Sequence, residues 1–484
     1  MLNLVSKIKL EENKYLILGH LTFFVLFIFA LVFVNERILF LDSGAQVFEL
    51  IRDEGFEIYA ERYSMYLFQL FPVLAIKLHL PLFVVICAYS LSVPIIGYIL
   101  WLITVYCLKN QRIGILILFI VLGIRHTFYH AISETFQLMF FAFFLYAWLF
   151  QATDKSSVWF KILYYFVACF FITLCVFIHP VAAFFIVFVL GMYVLDKQKT
   201  ILEKVIVSIM SLGLVLTKIL LTESGSYDTR FILSAHEFLE RLSNIFVLSS
   251  TRGFAESLVD FYWIPLAMFI VSLSFYLKKK KYWYFSFLLC FVLSFWLISV
   301  ILYANDNGVI ARERTFLPLF FFCGIPFMIE IFPLFSSKWN KIFLTGLAVF
   351  IVIGFTKVGI ASLSYTKRLE KIGEISALAN QEGKKKLLIT RETSEQIFSS
   401  ESWGLGFESI MYSSLKGIDS AVNMFIVDEI DYTTPEYKNT ETYLAVPWWV
   451  HWDIDKLNPH YFKLPKQPCS ELVIENGKMV IKDL

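Results

Sequence analysis

Long apolar runs alternate with short polar breaks up to about residue 360, and from Ser362 onward the chain turns to mixed, largely polar sequence. The first run, residues 15–34, is about twenty residues long, which as a helix spans the ~30 Å of a bilayer's hydrocarbon. Further runs near 82–108, 113–124, 131–151, 158–178, 180–195, 201–221, 258–277, 282–303, 316–332 and 342–360 predict about eleven spans in all. Between the first two runs lies FLDSGAQVFELIRDEGFEIYAERYSMYLFQLFPVLAIKLHL, residues 40–80, which carries Asp42, Glu49, Asp53, Glu54, Glu57 and Glu61. A single Asp at the bilayer centre costs roughly 2.5–3.5 kcal/mol, so this stretch is expected as a loop at a membrane face.

Positive charge assigns the faces, because Lys and Arg in short loops stay cytoplasmic. Lys278 to Lys281 is the strongest anchor, and Lys109/Arg112, Lys155/Lys161, Lys197/Lys199/Lys204, Lys338/Lys341 and the N-terminal lysines agree with it at alternate loops. The count closes only if residues 63–80 do not cross, although they are apolar enough to do so. They are expected to lie along the outer interface, ending at Lys77 and His79. Every unusual polar cluster then falls on the outer face: the acidic loop, residues 125–130, Ser133-Glu134, His179-Pro180, 223–256 and 305–314. A transporter needs polar groups near the midplane and access from both faces, and few ionisable residues lie deep in these runs.

Composition agrees with a membrane protein: 58% of the 484 residues are hydrophobic and 52 are Phe. Mean hydropathy is +0.68. A net charge of +2, with no basic run interleaved with aromatics, argues against a nucleic-acid partner. Six of the seven cysteines lie in apolar runs, which leaves no disulfide framework and no CxxC metal pair. The expected fold is therefore an all-α polytopic membrane protein with a C-terminal α/β domain outside the membrane. Residues 1–361, including an outer loop at 35–81, form the membrane domain, and residues 362–484 the soluble one. In the latter, 362–381 and 404–415 read as helices, 387–390, 424–427 and 443–446 as strands, and 472–481 as a hairpin turning at Asn476-Gly477.

This layout resembles the GT-C superfamily of polytopic membrane glycosyltransferases. The resemblance rests on Asp42 in Phe40-Leu41-Asp42-Ser43-Gly44 after the first span, the interfacial segment 63–80, Ile132-Ser133-Glu134-Thr135-Phe136, and Glu313-Arg314-Thr315-Phe316-Leu317-Pro318. It implies transfer of a sugar from a polyprenyl-phosphate carrier to a glycan, lipid or protein acceptor on the outer face of the membrane. With no organellar signal, a bacterial inner membrane with the C-terminal domain in the periplasm is expected. Two departures are a single acidic residue at Asp42 where the family often has a pair, and Thr315 where Tyr often follows the arginine.

Such a transfer needs one carboxylate to take the proton of the incoming nucleophile and cations for the phosphate, which is already a weak base; a second acid is unnecessary. Asp42 is the candidate base; the competing reading is a cap for a helix starting near Ser43. Arg312 and Arg314 are candidate phosphate ligands, since a guanidinium grips phosphate at two points, and Arg62 is a further one. His126, His130, Glu134 and His179 are expected to line the substrate site. The one-turn spacing of His126, His130 and Glu134 on an assumed helix would also suit a divalent metal, but hydrogen bonding or positioning of the acceptor is the preferred role. Trp448, Trp449 and Trp452 are expected to rest the outer domain on the bilayer rather than to stack on sugars. A polymerase or ligase of lipid-linked glycans, or a flippase for them, is the alternative function.

Overall fold

The computed structural model describes residues 2–151, 157–222, 233–305, 308–398, 403–445 and 452–484, with backbone alone for 2–12 and Phe261. The chain is mostly helical. Its first half comprises Leu2–Val32 (α1), Val34–Ile38 (α2), Leu41–Arg52 (α3), Met65–Lys77 (α4), Leu82–Leu102 (α5), Gln111–Phe119 (α6), Glu134–Leu149 (α7), Val158–Val176 (α8), Ala182–Leu195 (α9) and Ile201–Leu221 (α10). Then follow Ala235–Ser243 (α11), Ser249–Ser257 (α12), Trp263–Lys278 (α13), Tyr282–Leu302 (α14), Val309–Phe316 (α15), Leu319–Pro326 (α16) and Ser337–Glu382 (α17).

Among the described residues seven helical stretches are long and apolar enough to cross a membrane: Asn13–Val32, Leu82–Cys107, Val158–Val176, Ile201–Leu221, Tyr282–Leu302, Val309–Leu334 and Ser337–Glu382. An eighth is a pair, Ser249–Asp260 and Trp263–Lys278, bent by 88°. The runs expected as spans near 113–124, 131–151 and 180–195 form the shorter helices Gln111–Gly123, Glu134–Leu149 and Ala182–Leu195. At ~1.5 Å per residue these reach roughly 20–24 Å, less than the hydrocarbon thickness. The bundle core is aromatic. Phe322 alone packs edge-on or tilted against Phe185, Phe188, Phe291 and Phe295 at centroid distances of 4.9 to 5.2 Å, which is where much of the phenylalanine goes.

Helices α1 and α5 run antiparallel. His20 in the middle of α1 bonds Tyr98 late in α5 and Tyr106 just beyond it at 2.7 and 2.8 Å, while Ser90, earlier in α5, donates to the carbonyl of Ala30 near the end of α1 at 2.7 Å. Residues 39–81 therefore begin and end at the same end of the bundle, and α4 folds back there against α5. The basic loops gather at the opposite end. Lys199 donates to the Leu149 carbonyl, Tyr284 to that of Leu195 and Tyr15 to that of Asn340, and Lys281 pairs with Glu330, at 2.8 to 3.1 Å.

The acidic stretch is not a plain loop. It folds into α3 and α4, and Val47, Phe48, Leu50 and Ile51 give α3 an apolar face to bury. The helix expected at 362–381 is no separate element: it continues from the last span without a break through α17, 46 residues long. No proline interrupts this sequence, and it stops only at Gly383, whose φ of +72° provides the left-handed cap.

Beyond α17 lie Lys386–Thr390 (β1), Arg391–Ile397 (α18), Leu405–Ser414 (α19), Asn423–Val427 (β2), Pro435–Lys438 (α20), Thr442–Tyr443 (β3), Trp452–Asp453 (β4), Ser470–Glu475 (β5) and Lys478–Asp483 (β6). The four-stranded sheet has the order β2-β1-β5-β6, with β1 parallel to β2 and β5, and β5 antiparallel to β6. Asn476 and Gly477, at φ +51° and +75°, make the tight turn between β5 and β6. This small domain shares a core with the acidic stretch: Phe48 of α3 stacks on Phe462 at 5.3 Å and on Trp452 at 5.9 Å, beside Phe407. Trp448 and Trp449 lie outside the described residues.

Candidate active site

The site forms where the start of α3, the loop before α4, the start of α7, the α8–α9 junction and α15 meet, beneath the C-terminal domain. Asp42 stands in the first turn of α3. The helix begins at Leu41 with Phe40 at the cap position and no side-chain cap bond, so Asp42 is not its cap residue. Ser43, the next residue, accepts from the Ile132 N–H at 3.3 Å and ties this turn to the segment before α7.

Arg62, almost fully buried, forms an ion pair with Glu134, and Ser64 beside it donates to the Leu174 carbonyl at 2.6 Å, anchoring the loop on α8. Ala60 and Glu61 both have φ of +50°, and Lys218 from the end of α10 holds this strained pair, donating to the Ala60 carbonyl at 2.9 Å and to Glu61 at 3.3 Å. His179 follows α8, which ends before Pro180 as the sequence suggests, and its Nδ1 accepts from the Val181 N–H at 3.1 Å.

All the predicted site residues except Arg312 lie within electrostatic reach of one another. Asp42 remains accessible to solvent, yet the protein enclosing it removes enough water to push its carboxyl above the ordinary carboxylate range. Arg314 is the larger counterweight, Arg62 a smaller one, and Glu134 adds to the upward push. Glu134 feels Arg62, His179 and Arg314 in turn. His130, 2% exposed, is held well below the usual histidine range by burial, Arg314 and His126, and is neutral. Burial and Arg125 bring His126 down to about 4, against the pull of Asp260.

Arg314 is the feature that stands out. Its Nε and Nη2 are buried and find no hydrogen-bond acceptor among the described residues, and neither does either ring nitrogen of His130. A guanidinium with two buried, unused donors beside a neutral imidazole is chemically able to bind an anion.

Arg312 is elsewhere. Two positions apart on a helix, Arg312 and Arg314 project ~200° from one another and cannot grip one phosphate. Arg312 pairs with Glu256 and lines a separate pocket with Arg125, Asp260, Tyr262, Glu313 and Lys357. Nor do His126, His130 and Glu134 share one helix. Thr127–Tyr129 is a tight turn, residues 131–133 are irregular, and α7 starts only at Glu134, so the one-turn spacing that would suit a metal is lost. Among the described residues no three His, Cys, Asp or Glu side chains are placed to hold a metal ion.

Sequence reasoning missed several wall residues. Phe40 packs against His130 at 5.4 Å and Tyr365 at 5.1 Å, and the Tyr365 hydroxyl meets His126 Nδ1 at 3.3 Å. Glu313 fastens the turn below, accepting from the His126 and Thr127 N–H groups at 3.1 and 2.7 Å. Glu408 and Arg368 arrive from the C-terminal region, and nothing local in the sequence ties them to Asp42. Comparison of the chain with known protein families, with curated proteins and with solved structures returned no match.

Proposed function

We propose that the protein is a membrane glycosyltransferase of GT-C-like architecture, in which the three short helices complete a bundle of about eleven spans. It moves a sugar from a polyprenyl-phosphate carrier to a glycan, lipid or protein acceptor at the outer face of a bacterial cytoplasmic membrane. The observation that supports this reading is the Arg314 guanidinium, whose buried Nε and Nη2 have no acceptor among the described residues and which lies within electrostatic reach of Asp42. The acceptor oxygen attacks the anomeric carbon and the bond from that carbon to the phosphate oxygen breaks. The bonding pair leaves with the phosphate, and the acceptor's proton passes to Asp42. Arg314 takes the charge that grows on the phosphate, in a site where water is scarce and its donors are already aimed. Neutral His130 and the Arg62–Glu134 pair hold sugar hydroxyls by hydrogen bonds.

The test is mass analysis of polyprenyl-linked lipids in cells lacking the protein. A sugar-phosphate lipid should accumulate, and supplying the wild-type chain, but not Asp42→Asn, should clear it. Unchanged lipids, or clearance by Asp42→Asn, would remove the assignment.

A further inference from the structure

Asp42 takes its direction from the residue before it. Leu41 has φ of +45°, a left-handed conformation that side chains with a β-carbon rarely adopt, and which persists only when surrounding contacts enforce it. The contact here comes from 367 residues away: the Leu41 N–H donates to Glu408 Oε1, on α19 of the C-terminal domain, at 2.7 Å. Glu408 is completely buried, and its other oxygen accepts from Arg368 on the extramembrane part of α17, itself almost fully buried. The Arg368 guanidinium also lies over the Phe40 ring, 5.6 Å from its centroid. Gly44 lets α3 approach closely, since a β-carbon there would lie 3.3 Å from the Phe407 ring and 3.5 Å from Glu408 Cγ. The three residues Phe40-Leu41-Asp42 are thus held from above by a buried ion pair.

A buried pair is a poor way merely to fasten two domains, because desolvating both charges offsets most of their attraction and apolar side chains would serve as well. What the carboxylate adds is an acceptor fixed in direction at one backbone N–H. We propose that Glu408 is a positioning residue for Asp42: by capturing the Leu41 N–H it holds the left-handed turn that aims the Asp42 carboxylate into the chamber with Arg314. The C-terminal domain is on this account part of the catalytic apparatus. The inference rests on the reading of Asp42 as the base.

Glu408→Ala would take the carboxylate of a buried ion pair from Arg368 and endanger folding, so the decisive variant removes both charges at once, Arg368→Met/Glu408→Met. The full chain is reconstituted with membranes of the strain lacking it, which supply donor and acceptor, and binding is followed separately with undecaprenyl phosphate as probe. The double variant is expected to bind undecaprenyl phosphate within roughly twofold of wild type while clearing the donor roughly tenfold more slowly or worse. Adding Leu41→Gly should restore most of the rate, because glycine takes a positive φ without being held there. Amide exchange in residues 40–45 should speed up in the double variant and stay unchanged in α5. A normal clearing rate in the double variant, no rescue by Leu41→Gly, or unaltered exchange at residues 40–45 would each overturn the proposal. If the wild-type chain clears no donor, the assigned reaction fails instead, and the exchange measurement alone decides whether Glu408 holds the Leu41 amide.

Discussion

At Arg314 the cost of leaving two buried donors unused is the reason to expect a ligand. Charge-assisted hydrogen bonds to phosphate contribute about 1.5–3 kcal/mol each, so Arg314→Ala should weaken undecaprenyl phosphate binding by about ten- to a hundredfold. Arg314→Lys should recover part of this, since it keeps the charge and loses the fork. Arg312→Ala is the internal control: its guanidinium is paired with Glu256 in another pocket, and binding should change by less than about threefold. Equal losses at 312 and 314, read by titration of the lipid phosphate, would mean that the two arginines act together after all. The pH profile follows from the same cluster. Because enclosure raises the Asp42 carboxyl, the acid limb of the transfer rate should lie above the ordinary aspartate range, and Arg314→Ala, by removing its largest counterweight, should move that limb to higher pH.

Among the elements, α3 shows what was legible and what was not. Its charge density predicts that residues 40–80 lie outside the hydrocarbon, and in the fold residues 39–81 begin and end at one end of the bundle, with α4 packed back against α5. A helix starting near Ser43 was legible as the competing reading of Asp42, but the cover of its apolar face was not: the C-terminal residues that pack on Phe48 lie about 360 to 410 positions away, and no local pattern announces them. The same distance hid Glu408. Conversely, the one-turn spacing of His126, His130 and Glu134 assumed a helix that the irregular residues 131–133 interrupt. Helix α3 also carries a measurable burden. Glu49 is 4% exposed, and burial, against the pull of Arg52, lifts its carboxyl to about 7 from 4.5. A carboxyl raised in the folded chain contributes stability that is full below the unfolded value and is lost as pH climbs from ~4.5 to ~7. The difference of about 2.5 pH units corresponds to roughly 3 kcal/mol at most, so Glu49→Gln should melt higher than wild type at pH 8 and gain little at pH 5. A gain equal at both pH values would show that the effect is packing.

For the whole molecule, the polarity of the bundle governs everything else. Helix α17 is about 69 Å long at ~1.5 Å per residue, more than twice the hydrocarbon thickness, so it leaves the membrane as a rigid post and brings Arg368 over the site. The antiparallel α1–α5 pair sets residues 39–81, α4 included, at the end where this post emerges, and Lys199, Lys281 and Glu330 lie at the other. Charge in short loops predicts a cytoplasmic lysine end, and with it an extracytoplasmic chamber and C-terminal domain. Single cysteines at three exposed lysines, Lys77→Cys at the end of α4, Lys279→Cys in the basic turn and Lys416→Cys in the C-terminal domain, test this directly in a background lacking the seven native cysteines. In intact spheroplasts a membrane-impermeant maleimide should label positions 77 and 416, and position 279 only after permeabilisation. Labelling of 77 together with 279 would make α4 a crossing and break the chamber apart. Labelling of 279 alone would keep the chamber intact and turn it to the cytoplasm, where a sugar carried on a nucleotide rather than on a lipid would be the available donor.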